Sequence, residues 1–151
     1  MLSYLKLGEF VSTQVTMGLN SEVVKKDGLY LHVYDLGGNL AFRSVLWNKL
    51  LDTGCDLIIY IVDATDSERI VANEEEIGKV LHHHMVRGVP IVLVANKQDL
   101  PEAKSAEEIA LQMNLMNYNS ERKMYLISTS MKTGAGIDKL IDALEAITAK
   151  K

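Results

Sequence analysis

The stretch Val89-Pro90-Ile91-Val92-Leu93-Val94-Ala95-Asn96-Lys97-Gln98-Asp99 decides the fold. Its first seven residues form an uninterrupted apolar run, rich in β-branched side chains, of the kind buried on both faces of a parallel sheet. The polar tetrad begins where the run ends. Two further runs of the same type, residues 57–62 and 124–128, lie on either side in sequence, and helical patterns separate all three. Residues 67–87 carry Ile70, Ile77, Val80 and Leu81 on one side and end at Gly88, a candidate C′ glycine. Ser105 and Glu108 have the spacing of a capping box that opens a helix bearing Ile109 and Met113. Ile137, Leu140, Ile141 and Leu144 follow the i, i+3, i+4, i+7 rule and predict a helix docked by one face. Upstream, residues 22–26 and 29–34 read as two strands joined by Asp27-Gly28, a dipeptide suited to a tight hairpin, with Leu29, Leu31 and Val33 alternating against Tyr30, His32 and Tyr34. This alternation of strand and helix predicts an α/β three-layer sandwich.

Composition narrows the function without naming it. The 151 residues, 48% hydrophobic and 24% charged, with no repeat or low-complexity linker, fit one domain over 1–151. A single cysteine, Cys55, excludes an intrachain disulfide. No apolar stretch approaches the ~20 residues of a membrane span, and the first residues lack the basic and apolar regions of a secretory signal. The expectation is a cytoplasmic chain whose membrane contact, if any, is peripheral. Sixteen basic against twenty acidic residues give a net charge of −4, a poor match for a nucleic-acid binder.

In open parallel sheets ligands bind beyond the carboxyl ends of the strands, so the residues after each run carry the chemistry. The hairpin delivers Asp35-Leu36-Gly37-Gly38-Asn39, the central run delivers Asn96-Lys97-Gln98-Asp99, and the last run delivers Thr129-Ser130-Met131-Lys132. D-x-G-G alone is usually a turn. N-K-x-D is more specific: a carboxylate at Asp99 can accept from guanine's N1–H and exocyclic amine, a donor pair that adenine lacks, while the stem of Lys97 can cover the base face. Asp63-Ala64-Thr65-Asp66-Ser67, after the run at 57–62, reads as a turn and helix cap without a ligand role. His82-His83-His84 diverge by about 100° per residue on a helix and make a solvated helix end rather than a metal site. Glu74-Glu75-Glu76 reads as exposed surface, Cys55 as a structural thiol and Trp47 as a packing residue.

In their order D-x-G-G, N-K-x-D, T-S-x-K, and in Leu5-Lys6-Leu7-Gly8-Glu9-Phe10-Val11, Val15-Thr16-Met17-Gly18-Leu19-Asn20 and Asn96-Lys97-Gln98-Asp99-Leu100-Pro101, these motifs make the chain resemble the small GTPases of the Ras superfamily, most closely the ADP-ribosylation-factor (Arf and Arf-like) family. The resemblance runs over nearly the whole length. It implies a P-loop-NTPase or small-GTPase-like, mostly parallel sheet with one antiparallel strand, and GTP or GDP with Mg²⁺ as ligands. It implies that Thr16 meets Mg²⁺ and the γ-phosphate, that Asp35 holds the ion through water, and that Gly38 donates its N–H to the γ-phosphate. Asn96, Lys97 and Asp99 are implied to bind guanine, with Ser130, Met131 and Lys132 closing over it, while Leu19 and Tyr34 lie on the effector face. The implied partners are effector proteins, an exchange factor and a GTPase-activating protein, and the implied setting is vesicle and membrane traffic at endomembranes.

Two departures set further expectations. Where the family places a water-orienting glutamine, this chain has Asn39 as its catalytic candidate, one methylene shorter, so hydrolysis is expected to be slow. No G-x-x-x-x-G-K-[ST] occurs in the 151 residues, and Met1-Leu2-Ser3-Tyr4-Leu5 resembles the helix after that loop; the expectation is an N-terminally truncated domain without its first central strand. Because Leu2 follows Met1, no N-terminal myristoylation is expected. Losing about five charge-assisted phosphate bonds of ~1.5–3 kcal/mol each predicts a deficit on the order of 10 kcal/mol, and hence impaired nucleotide binding. The alternative from a different class is a pseudo-GTPase that serves as a protein-interaction module.

Overall fold

A computed structural model describes residues 1–149 apart from 13, 15, 17, 27, 38 and 39, with the backbone alone at 26 and 40–44. The chain divides into two compact units, Met1–Gly54 and Cys55–Lys151, and each is built on its own sheet.

The first unit contains helix α1 (Leu2–Leu7), strands β1 (Leu19–Lys26) and β2 (Leu29–Leu36), and helix α2 (Leu40–Leu51). The two strands pair antiparallel from Leu19↔Leu36 to Lys26↔Leu29, so the hairpin is longer at its open end than the alternating pattern alone predicts. The connection has two residues, as the Asp27-Gly28 reading requires; Gly28 lies at φ +87°, and Asp27 falls outside the described residues. Along β2 the exposed positions Tyr30, His32 and Tyr34 alternate with the buried or half-buried Leu29, Leu31 and Val33, the period expected of a sheet with one covered face. Leu5 of α1 is buried, and Lys6 forms a 2.6 Å ion pair with Glu22 of β1.

The second unit holds β3 (Ile58–Asp63), α3 (Ser67–His82), β4 (Ile91–Asn96), α4 (Ala106–Gln112), β5 (Met124–Ser128) and α5 (Ile137–Thr148). The strands form a parallel sheet in the order β3-β4-β5. Its central strand is the run that opened the sequence reading, and residues 91–95 are buried without a break. Ile91, Leu93 and Ala95 pack with Ile70, Ile77 and Leu81 of α3 and with Ile109, Ala110 and Met113 of α4. Val92 and Val94 point the other way and are equally buried, and α5 packs against β5 with Ile137, Leu140 and Leu144 buried. This is the expected α/β layering. The expected mostly parallel sheet is realised among the described residues as two separate ladders, a parallel trio and an antiparallel pair.

Helix α3 stops at His82, five residues before the end that its pattern predicts. His83 is extended, a short 3₁₀ turn spans His84–Val86, and Gly88 (φ +75°) belongs to the turn before β4. The cause is a residue far along the chain. The guanidinium of Arg122, 5% exposed, donates to the carbonyls of Leu81 (2.6 Å), Val86 (3.3 Å) and Val89 (3.3 Å), so the helix end and the turn are capped from outside. Burial lowers the Arg122 pKa from the ordinary arginine value, against the opposing pull of the neighbouring Glu121 charge. The capping box at the start of α4 is present in full: Ser105 Oγ accepts from Glu108 N at 3.2 Å and Glu108 Oε2 accepts from Ser105 N at 2.7 Å.

Candidate functional site

β3, β4 and β5 end together. Asp63 lies opposite Asn96, and Ala95 lies opposite Ser128. Parallel strands that terminate in step bring the residues after each to one rim. Backbone bonds continue the ladder into those loops, from Ala64 N to Asn96 O (3.0 Å), Thr129 N to Ala95 O (2.9 Å) and Gln98 N to Thr129 O (3.0 Å). The tetrad and the loop after β5 are therefore one hydrogen-bonded body.

Side chains tighten it. Asn96 Oδ1 accepts from the Met131 backbone N at 3.0 Å and from Thr129 Oγ1 at 3.3 Å, which fixes which end of the amide is oxygen. Ser130, 1% exposed, donates its hydroxyl to Asp99 Oδ1 at 2.7 Å and accepts from Thr133 N at 3.2 Å. Lys132 Nζ stands 3.6 Å from Asp99 Oδ2, an ion pair too long for a direct hydrogen bond. The Ser130 hydrogen bond holds the Asp99 carboxyl below its ordinary range, with a backbone hydrogen bond and the Lys132 charge adding to it against partial burial. An ionised carboxylate offers about four acceptor positions, so Asp99 keeps room for two more donors after Ser130 and Lys132. Its side chain is 15% exposed, open enough to receive them. The acceptor positions left free on Asp99 are what a group presenting two N–H donors would use.

The loop after β5 closes on glycine. At Gly136, where φ is +73°, a Cβ would stand 2.2 Å from the carbonyl oxygen of Ser128, so no other residue fits the close approach. Met131 is buried at 4%, and its backbone N is the donor to Asn96, so it acts here through its main chain.

Three members of this body were not singled out by sequence. Gln98 sends Nε2 to Lys104 O at 2.7 Å, and Thr129 is fully buried between the loops. Asp63 is the third: its Oδ2 receives Lys97 Nζ at 2.6 Å, although the turn at 63–67 carried no expected ligand role. Its neighbour Asp66 does cap α3, accepting from Arg69 N at 3.0 Å. A local reading can find a cap three residues away, but the Lys97 partner lies 34 residues along the chain and is visible only once strand register is known.

In the first unit, Thr16 and Asp35 meet: Thr16 Oγ1 donates to Asp35 Oδ2 at 3.2 Å. Gly37 N donates to Gly18 O at 2.8 Å, and a Cβ on Gly37 would stand 2.2 Å from Thr16 O. Glycine at 37 is thus what lets the Thr16 segment lie against the end of β2. A hydroxyl beside a carboxylate is a hard-oxygen pair of the kind Mg²⁺ takes, the hydroxyl directly and the carboxylate through water. Leu19 and Tyr34 are exposed at 47% and 46%. Gly38 and Asn39 lie outside the described residues.

Among the described residues no group of three or more His, Cys, Asp or Glu could hold a metal; at the end of α3 His82 and His84 are exposed, while His83 is half-buried rather than fully solvated. Trp47 is half-buried. Cys55 is exposed rather than packed, because β3 starts only at Ile58 and the thiol precedes the covered part of the strand. No helix among the described residues is long and apolar enough to cross a membrane.

A parallel sheet with N-K-x-D after β4 and T-S-x-K after β5, together with an antiparallel hairpin ending in D-x-G-G, defines a small GTPase. The chain belongs to the ADP-ribosylation factor family, Arf, whose model matches residues 1–148. It is 33% identical over 140 residues to ADP-ribosylation factor-like protein 1 of Saccharomyces cerevisiae, covering 93% of this chain and 75% of that protein. Its fold is similar to that of the Arl6 BBS3 small GTPase from Trypanosoma brucei, solved with the nucleotide analogue GppNp bound: the TM-score is 0.86 at 24% identity, over 99% of this chain and 90% of that one. Family membership supports a GTP-binding switch role.

Proposed function

We propose that this chain, as one small-GTPase-like domain over 1–151, is an Arf-like guanine-nucleotide switch that recruits effector proteins in membrane traffic. Asp99 accepts two hydrogen bonds from the guanine edge and rejects adenine, because an adenine there leaves a partly buried carboxylate facing an acceptor. Asn96 braces the loop after β5, Lys97 lays its stem over the base, and Ser130, Met131 and Lys132 close the rim. Thr16 would meet Mg²⁺ directly and Asp35 would hold it through water, and the ion when bound neutralises phosphate charge. Thr16 and Gly38 contact the γ-phosphate, and contacts made only with the triphosphate are what order-disorder switches of this type use. Leu19 and Tyr34 present the effector face, with an exchange factor and a GTPase-activating protein as regulators and endomembranes as a peripheral site of action. Asn39, reaching less far than glutamine, makes hydrolysis slow.

The Ser130–Asp99 hydrogen bond carries this reading, because it aims a charged acceptor from one strand end and locks it from the next. The Trypanosoma brucei relative, with its bound GppNp, adds support for a nucleotide in this fold. A second reading, a protein-interaction module with weakened nucleotide affinity, draws on Asn39 and on the lack of G-x-x-x-x-G-K-[ST] within these residues. The test is an NMR titration of the 151-residue chain with GDP, ADP and xanthosine diphosphate into the millimolar range. The switch reading expects shifts at Asn96, Asp99 and Ser130 with GDP alone, and Asp99→Asn should transfer the preference to the xanthine nucleotide. Equal responses to GDP and ADP would sink it.

A further inference from the structure

Lys97 is held in an unusual way. Its backbone lies at φ +74°, in the left-handed region that non-glycine residues seldom occupy, so the turn of the tetrad is imposed by its surroundings rather than by local preference. Its ammonium meets Asp63 Oδ2 at 2.6 Å, and that carboxylate is itself immobilised: Oδ1 accepts from Thr65 N at 3.1 Å and from Thr65 Oγ1 at 2.8 Å. Asp63 is the last residue of β3 and sits in register opposite Asn96, so the pair spans the rim from the end of one strand to the residue just beyond the next. A lysine stem is flexible and keeps its ammonium in water unless something draws it down. Here one oxygen of a braced carboxylate does so, and the stem between Cα and Nζ is laid along a fixed line.

We infer that Asp63 is a positioning residue for guanine binding: it anchors the Lys97 ammonium so that the aliphatic stem presents a preformed apolar strip to the face of the base. The inference rests on the guanine reading above and assigns a role to a residue that touches no edge of the base. Burial pulls the Asp63 carboxyl upward, but the hydrogen bonds from Lys97 and Thr65 outweigh it and keep the group ionised well below neutral pH. A residue that acts through Lys97 must change affinity without changing which base is preferred, because discrimination belongs to Asp99.

A double-mutant cycle reads this directly, with GDP and xanthosine diphosphate as the probes, titrated by NMR against the whole chain. Asp63→Asn keeps the shape and the acceptor for Thr65 but removes the charge, and Lys97→Met keeps the stem but removes the ammonium. Each single change should weaken GDP by about threefold to fivefold, the range of a partly exposed ion pair. The double change should be no weaker than either alone, and xanthosine diphosphate should stay without response in every variant. Independent multiplying losses, or a response to xanthosine diphosphate gained by Asp63→Asn or Lys97→Met, would overturn the inference while leaving the guanine reading intact. A wild-type chain that binds neither nucleotide would overturn both. If Asp63→Asn unfolds, Thr65→Ala serves in its place: it frees the carboxylate without touching the charge and should give part of the same loss in the wild-type background and none beside Lys97→Met.

Discussion

The two units solve the same problem, holding polar groups at a strand end, with different means. In the second, the loops after β3, β4 and β5 are stitched together by backbone bonds that prolong the parallel ladder and by Asn96, Ser130 and Asp63 side chains that reach from one loop to the next. In the first, among the described residues, Thr16 and Asp35 meet through one side-chain bond, backed by the Gly37–Gly18 backbone bond. A parallel sheet delivers several strand ends to one rim, whereas a hairpin delivers one strand end beside the segment that leads into its first strand. The rim proposed to read the base is therefore preformed within the second unit, while among the described residues the pair proposed to meet metal and phosphate is held by fewer side-chain bonds within the first. The proposed switch reading accords with that, since a segment that senses a third phosphate is one that the ligand completes.

Substitutions at the two tight glycines test this contrast most severely. Gly136→Ala drives a Cβ to 2.2 Å from the Ser128 carbonyl at a positive φ, and should cost about 3 kcal/mol in urea unfolding because the ladder cannot give way. Gly37→Ala meets the Thr16 carbonyl at the same 2.2 Å, but the Thr16 segment should move instead, so global stability falls by less than 1 kcal/mol or so while the Thr16–Asp35 contact is lost in NMR spectra. Equal losses of stability would erase the distinction between the units.

Next in size is Arg122→Leu, which strips the carbonyls of Leu81, Val86 and Val89 of their donor. It should cost about 2 kcal/mol and raise hydrogen exchange from the end of α3 to the start of β4, leaving β1 and β2 unaffected. The smallest effect is acid sensitivity. Asp63 and Glu108 have pKa values held below their ordinary 3.8 and 4.5, Asp63 by Lys97 and Thr65 against burial and Glu108 by Ser105. A depressed carboxyl contributes stability that is fully present above the ordinary value and is lost as pH falls through the lowered one. Exchange protection at the start of α4 should therefore decline as pH drops below about 4.5, and Glu108→Gln should remove that decline.

Much of this is legible in the amino-acid sequence. The run at 89–95 is buried without a break over 91–95, the capping box at Ser105 and Glu108 is complete, and the alternation in 29–34 matches the covered and open faces of the hairpin. These features are written locally: periodicity records which side of an element meets water, and capping residues act within a turn. The candidate site was half legible for the same reason. Asn96, Asp99 and Ser130 announce themselves by motif, but nothing local at 63–67 points to the Asp63–Lys97 pair, and the apolar pattern of α3 runs five residues past its end because the donor there stands 41 residues beyond Leu81.

The amino-acid sequence by itself determined the alternation of strands and helices, the hairpin and the order of the three polar motifs, since each depends on residues that are neighbours along the chain. Only the tertiary structure decided which of those residues hold one another: Lys97 with Asp63, Asp99 with Ser130, Arg122 with the end of α3. Such partnerships are fixed by strand register and by burial that withdraws the alternative of bonding to water, and neither is recorded at any single position.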